Sequence, residues 1–125
     1  MTPEQLAKAG TEHAHQVALM AWCALNFEVY PKLKLLFAIP NGGERNPVVA
    51  ARLKAEGVRS GVPDLMLPVA RHGRFGLFIE MKKPKQGKVQ GSQAEWHRDL
   101  DTEGYGVAVC FGWEEARDCL VQYLS

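Results

Sequence analysis

Nothing in this sequence approaches the roughly 18–20 consecutive apolar residues of a membrane span, which excludes a helical membrane protein. Cysteine is scarce: Cys23, Cys110 and Cys119 are an odd, scattered set among apolar neighbours. That excludes a disulfide framework and reads as small buried side chains in a reducing compartment. No Cys/His cluster has zinc spacing, which excludes a zinc finger. The opening residues, MTPEQLAKAGTEHAHQ, are polar and lack the apolar centre of a signal peptide. The expectation is a soluble, cytoplasmic protein. Internal repeats, low-complexity tracts and linkers are also missing, so the 125 residues are expected to form one domain, 1–125.

Overall charge is nearly lacking too, at +1, but its distribution is uneven. Residues 45–98 hold eleven Lys or Arg against four acids, whereas residues 99–125 hold one against six. A neutral chain with a basic middle can present a polyanion-binding surface, although charge alone favours a solvated charged surface.

What is present is a core and a set of stop signals. Hydrophobic residues make up 46% of the chain, enough to bury a core. Thr2-Pro3 starts a short helix that Gly10 ends, and Thr11 caps a second over about Glu12–Asn26. On it Glu12, His15, Gln16 and Leu19 share a face, while Val17, Ala21 and Ala24 are expected in the core. Leu35–Ile39 reads as a strand, broken by Pro40-Asn41-Gly42-Gly43. Asn46-Pro47 opens a third helix that ends before Gly57. A strand from about Asp64, the turn Arg71–Arg74 and a strand over Phe75–Lys82 form a hairpin. Ser92 with Glu95 is read as a capping box for a helix running to Gly104. Tyr105–Phe111 is a further buried strand, and an amphipathic helix closes the chain over about Glu114–Leu124. A hairpin inside an alternating pattern predicts an α/β domain whose mixed central β-sheet is flanked by helices.

Chemistry concentrates on the hairpin. Along residues 75–82, Glu80 and Lys82 project from the same face of an otherwise apolar strand. Alone, that pair is most simply a salt bridge at a strand end. The register that closes the hairpin through a three-residue loop, Arg71-His72-Gly73, sets Asp64 opposite Glu80. Two facing carboxylates repel, and a divalent cation resolves the repulsion; hard oxygen donors favour Mg²⁺ or Mn²⁺. Lys82 beside them could orient a water or stabilise phosphate charge.

Pro63-Asp64 followed by Glu80-x-Lys82 is the PD-(D/E)xK nuclease signature. The flanks resemble the VRR-NUC branch, the virus-type replication-repair nuclease domain. These are Glu12 and Gln16, the Pro40–Gly43 turn, Gly57-Val58-Arg59-Ser60-Gly61-Val62-Pro63-Asp64-Leu65, Gly76–Lys82, Ser92-Gln93 with Trp96, and Gly104-Tyr105. The likeness spans about residues 11–124 and is similar to stand-alone versions carried by bacteriophages. It implies a restriction-endonuclease-like core and metal-dependent hydrolysis of DNA phosphodiesters. It implies Asp64, Glu80 and the Met81 carbonyl as metal ligands, Glu12 as a supporting acid, Lys82 as the catalytic lysine and Gln93 as a glutamine packed on the active strand. It further implies branched or four-way-junction DNA as substrate, cut by a homodimer. DNA contacts are expected from Arg45, Arg59, Ser60, Lys83, Lys85 and Lys88, with a plain turn or solvated surface loop as the alternative for each segment. The rival readings are a junction-binding module without cleavage and a sequence-specific restriction-type nuclease. Trp96 and Trp113 are expected as core rather than stacking platforms, and the four histidines show no clustered spacing, with His15 alone on the face of Glu12.

Overall fold

The computed structural model describes residues 1–41, 46–85 and 87–125. Five α-helices, α1 (Pro3–Leu6), α2 (Glu12–Leu25), α3 (Pro47–Ala55), α4 (Gly91–Thr102) and α5 (Trp113–Leu124), surround four strands among the described residues. The strands are β1 (Phe37–Ala38), β2 (Leu65–Leu67), β3 (Leu77–Lys82) and β4 (Gly106–Phe111), and they lie in the order β1-β2-β3-β4. β1, β2 and β3 pair antiparallel, and β3 pairs parallel with β4 through the α4 crossover. The expected mixed sheet flanked by helices is therefore the fold. No helix among the described residues is long and apolar enough to cross a membrane.

Helix starts follow their local signals. Thr2, Thr11 and Asn46 each accept a backbone N–H of the first turn they precede. α4 differs from expectation. It starts at Gly91 with Gln90 as the cap, and the Gln93 side chain takes the Gln90 N–H at 2.8 Å, so Ser92 is inside the helix. The Gln93 amide is held beneath the sheet by two further partners, and that tertiary tie moves the cap two residues back. β1 is also shorter than expected. Pro31–Leu35 forms a 3₁₀ turn, because Pro31 presets a helical first position and Leu33 inserts into the core at 2% exposure.

The core lies between the sheet and the pair α2 and α5. Ile79 and Met81 of β3, Leu65 and Leu67 of β2, Leu19 of α2 and Leu120 of α5 are essentially sealed. On α2 the buried positions are Ala14, His15, Ala18, Leu19 and Cys23. Val17 and Ala24 are exposed and Ala21 is half-buried, which corrects the expected core face. Both sides of α2 are apolar enough to bury. The small side chains of Ala14 and Ala18 let the helix backbone approach closely. Burial also pushes the Cys23 thiol up to about 12, and all three cysteines are free.

The hairpin turn corrects a second expectation. Arg71 and Arg74 exchange both backbone hydrogen bonds, and only His72 (φ 54°) and Gly73 (φ 74°) lie between them. This is a two-residue turn of the type I′ kind, whose twist matches that of the strands. His72 bears its left-handed conformation while its Nε2 lies 2.9 Å from the Tyr123 carbonyl oxygen. The register one layer down is nevertheless the expected one: Leu65 pairs with Ile79 and Leu67 with Leu77. The odd residue is absorbed at Pro68–Ala70, where the Val69 N–H turns back to the Leu67 carbonyl.

Candidate active site

Carried one step beyond the Leu65–Ile79 pair, the β2/β3 register sets Asp64 against Glu80. Side-chain alternation sends Leu77, Ile79 and Met81 into the α2/α5 core, and Phe78, Glu80 and Lys82 toward α4. Glu80 is 1% exposed and Lys82 5%. Burying two such charges costs several kcal/mol unless each is paired, so their partners define what the arrangement can do.

Every partner is local to the site. Asp64 Oδ2 accepts the Met81 N–H at 2.6 Å, and the Asn41 amide donates to Asp64 Oδ1 at 3.4 Å. Lys82 Nζ donates to Gln93 Oε1 at 2.9 Å, and Gln93 Nε2 donates to Glu80 Oε2 at 3.2 Å. His97 Nε2 lies 3.5 Å from Glu80 Oε1. Gln93 thus bridges the lysine and the carboxyl, and Gln93 and His97 reach the same group from one face of α4 at i and i+4. No buried side-chain polar atom among the described residues lacks a hydrogen-bond partner.

The electrostatics are those of a site awaiting positive charge. Burial raises the Glu80 carboxyl to about 9, helped by its hydrogen bond to Asp64 and by the Asp64 charge, with Lys82 opposing. Desolvation lowers His97 below its ordinary value, and the Lys82 charge adds to that. Glu80 therefore holds its proton beside the Asp64 carboxyl, and a cation bound between them would favour the charged form instead.

A cleft of about 500 Å³ opens onto Asp64 and Met81, and Glu12, His13, Gln16 and Asn41 line it as well. A strand residue's N–H and C=O point to the same edge. The Met81 carbonyl thus faces the side from which Asp64 takes the N–H. The donor set of two carboxylates, one backbone carbonyl and open solvent suits a hard divalent cation that keeps several waters. Glu12 faces the cleft from the first turn of α2, although no three His, Cys, Asp or Glu side chains among the described residues converge into a ready cage.

The segment preceding Asp64 is held by α4. Trp96 Nε1 donates to the Ser60 carbonyl at 3.2 Å. Gly61 is left-handed (φ 87°), and a Cβ there would meet the Ser92 carbonyl oxygen at 3.0 Å. Only glycine meets both demands. The Arg59 and Ser60 side chains are exposed beside it, as are Lys83, Lys85 and Lys88 after β3. Arg45, with Gly42 and Gly43, lies outside the described residues.

The structure thus brings Asp64, Glu80, Lys82 and Gln93 together, with Met81 beneath them and Glu12 across the cleft. His15 is elsewhere: it is buried, and its Nδ1 accepts the Trp113 N–H at 3.0 Å at the start of α5. Trp113 is core, as expected, at 3% exposure. His97 was not singled out by sequence reasoning, which sought clustered histidines; its signal was the i, i+4 spacing to Gln93. Asn41 was read as a turn residue, and its contact with Asp64 crosses from β1 to β2.

Residues 11–113 match the VRR-NUC domain family. A solved structure described as a VRR-NUC domain protein superposes with a TM-score of 0.77 at 30% sequence identity, covering 91% of this chain and 88% of that one. No curated protein matches.

Proposed function

The chain belongs to the VRR-NUC domain family of PD-(D/E)xK-type nucleases, and from that premise we propose that it is a divalent-metal-dependent endodeoxyribonuclease acting on branched DNA such as four-way junctions. The observation that carries the reading is the half-buried Asp64 facing the buried Glu80, with Lys82 held beside them. A structural salt bridge would not leave one carboxyl raised to about 9 against a second carboxyl that lines an open cleft.

In this reading Asp64, Glu80 and the Met81 carbonyl hold Mg²⁺ or Mn²⁺, with Glu12 supporting the site from α2. The cation supplies Lewis-acid stabilisation of charge at the scissile phosphate. Asn41 and the Met81 N–H fix both oxygens of Asp64, so the carboxylate presents one orientation. Gln93 and His97 do the same for Glu80. Lys82, fixed at its tip by Gln93, directs its ammonium to a phosphate oxygen or to the attacking water. Such preorganised charge provides most of the rate enhancement in phosphoryl chemistry. Arg45, Arg59, Ser60, Lys83, Lys85 and Lys88 would track the DNA backbone, and binding should weaken with salt accordingly. Symmetric resolution of a four-way junction needs two such sites, which a two-fold homodimer provides. The free cysteines fit the cytoplasm.

The test is cleavage of labelled four-way junction, flap, single-stranded and linear duplex DNA, with Mg²⁺, with Mn²⁺ and with chelator. Metal-dependent cutting of branched DNA that falls about 10²–10³-fold in Lys82→Ala is the expected result. Junction binding without cutting under every condition would replace the nuclease with a binding module. Cutting of linear duplex at a defined sequence would make it restriction-type.

A further inference from the structure

Lys82 is nearly sealed from solvent, although its neighbours Lys83, Lys85 and Lys88 are exposed. The cover is backbone. A Cβ built on Gly87 would lie 2.5 Å from Lys82 Cβ and 3.2 Å from both its Cγ and its Cδ. Carbon atoms rest about 3.5–4.0 Å apart, so the main chain at Gly87 lies directly on the lysine stem. The tip is held independently: Gln93 Oε1 takes Lys82 Nζ at 2.9 Å and also takes the Gln90 N–H at 2.8 Å. The lysine is therefore gripped along its stem by Gly87 and at its ammonium by an oxygen tied to Gln90, three residues further on. Gly91, one residue beyond Gln90, is different: a Cβ there would meet nothing within 4 Å. Two glycines four residues apart thus have opposite requirements for space.

We propose that Gly87 is a positioning residue for Lys82. Its missing side chain lets the backbone pack on the lysine stem and keeps the ammonium on Gln93 beside Glu80. A methyl group at this position must push either the segment or the lysine away. Because the segment lies on Lys82 rather than in the cleft, the displacement acts first on the orientation of the ammonium, and Arg59 and Ser60, which belong to a separate segment, keep their places. The kinetic consequence rests on the nuclease reading; the packing consequence does not.

The experiment is limited acetylation of the whole protein with acetic anhydride, read lysine by lysine by mass spectrometry, on wild type, Gly87→Ala and Gly91→Ala. In the wild type Lys82 should react severalfold more slowly than Lys83, Lys85 and Lys88. Gly87→Ala should bring Lys82 up toward its neighbours with unchanged melting temperature, and Gly91→Ala should leave it protected. On the preferred DNA substrate, Gly87→Ala should lower kcat about 10–100-fold, the usual cost of losing a group that orients a catalytic one, with KM unchanged. Lys82 as reactive as its neighbours in the wild type would overturn the proposal without any variant, and so decides it even if Gly87→Ala fails to fold. Protection retained in Gly87→Ala, or a raised KM at unchanged kcat, would also overturn it. Protection that is lost in Gly87→Ala in a protein that cuts no DNA would uphold the positioning and sink the nuclease reading.

Discussion

The two faces of β3 are buried almost equally and do opposite things. Leu77, Ile79 and Met81 are 4%, 0% and 1% exposed, and they meet α2 and α5 in an apolar core. Phe78, Glu80 and Lys82 are 8%, 1% and 5% exposed; Glu80 and Lys82 meet α4 through Gln93 and His97, and Phe78 packs edge-on against Tyr105. One face gains free energy from removing apolar surface from water. The other loses it by desolvating charge, and recovers only part through hydrogen bonds. Burial alone therefore does not separate core from site. What separates them is whether a substitution that simplifies the chemistry would help or harm the fold.

That contrast can be broken by experiment. Glu80→Gln keeps the shape of the polar face while removing the ability of Glu80 to ionise. It should cost about 10²–10³-fold in cleavage and leave the metal-free protein at pH 8 as stable as wild type or more so by thermal melting. A large loss of stability would make this face structural. Ile79→Ala on the opposite face should do the reverse. Chemical denaturation should show a loss of about 2–5 kcal/mol, while kcat per folded molecule changes little.

The same comparison has a pH signature. A carboxyl that keeps its proton to about 9 when folded, against an ordinary 4.5, makes the folded state the better proton binder in between. Metal-free stability should therefore fall as pH rises through that window, by on the order of a few kcal/mol. Glu80→Gln should flatten the slope, and Mn²⁺ or Mg²⁺ should offset it by stabilising the folded state through binding. A slope unchanged in Glu80→Gln would place its origin elsewhere. The smallest effect expected is that of Gln93→Ala, about 10–100-fold in kcat. Restoration of most of that loss by Gln93→Glu would indicate that the oxygen facing Lys82 matters more than the amide facing Glu80.

Much of this arrangement was legible beforehand because it rests on short-range rules. Period-two alternation put Glu80 and Lys82 on one face, and a tight hairpin closure suggested the register that sets Asp64 against Glu80, which the strand pairing keeps. The loop that was expected to produce that register was nevertheless wrong. The two-residue His72-Gly73 turn is compatible with it only because Pro68–Ala70 takes up the extra residue. The core face of α2 was misread because Val17 and Ala24 are as apolar as Ala14 and Ala18, so hydrophobicity could not choose between them. His97, Asn41 and Gly87 were out of reach for a related reason. Each matters through a neighbour 17, 23 or 5 positions away whose approach is set by packing.

By itself, the amino-acid order determined the identity and succession of the elements, the caps at Thr2, Thr11 and Asn46, and the facing of the Asp64, Glu80 and Lys82 trio. These depend on interactions within a strand, a turn or a pair of adjacent strands. Only the tertiary structure decided which side of α2 is buried, where α4 begins, and how Gln93, His97 and Gly87 close around the site. Those outcomes depend on the relative placement of separate elements. That placement is selected by the summed packing of the whole core, which no local pattern in the chain records.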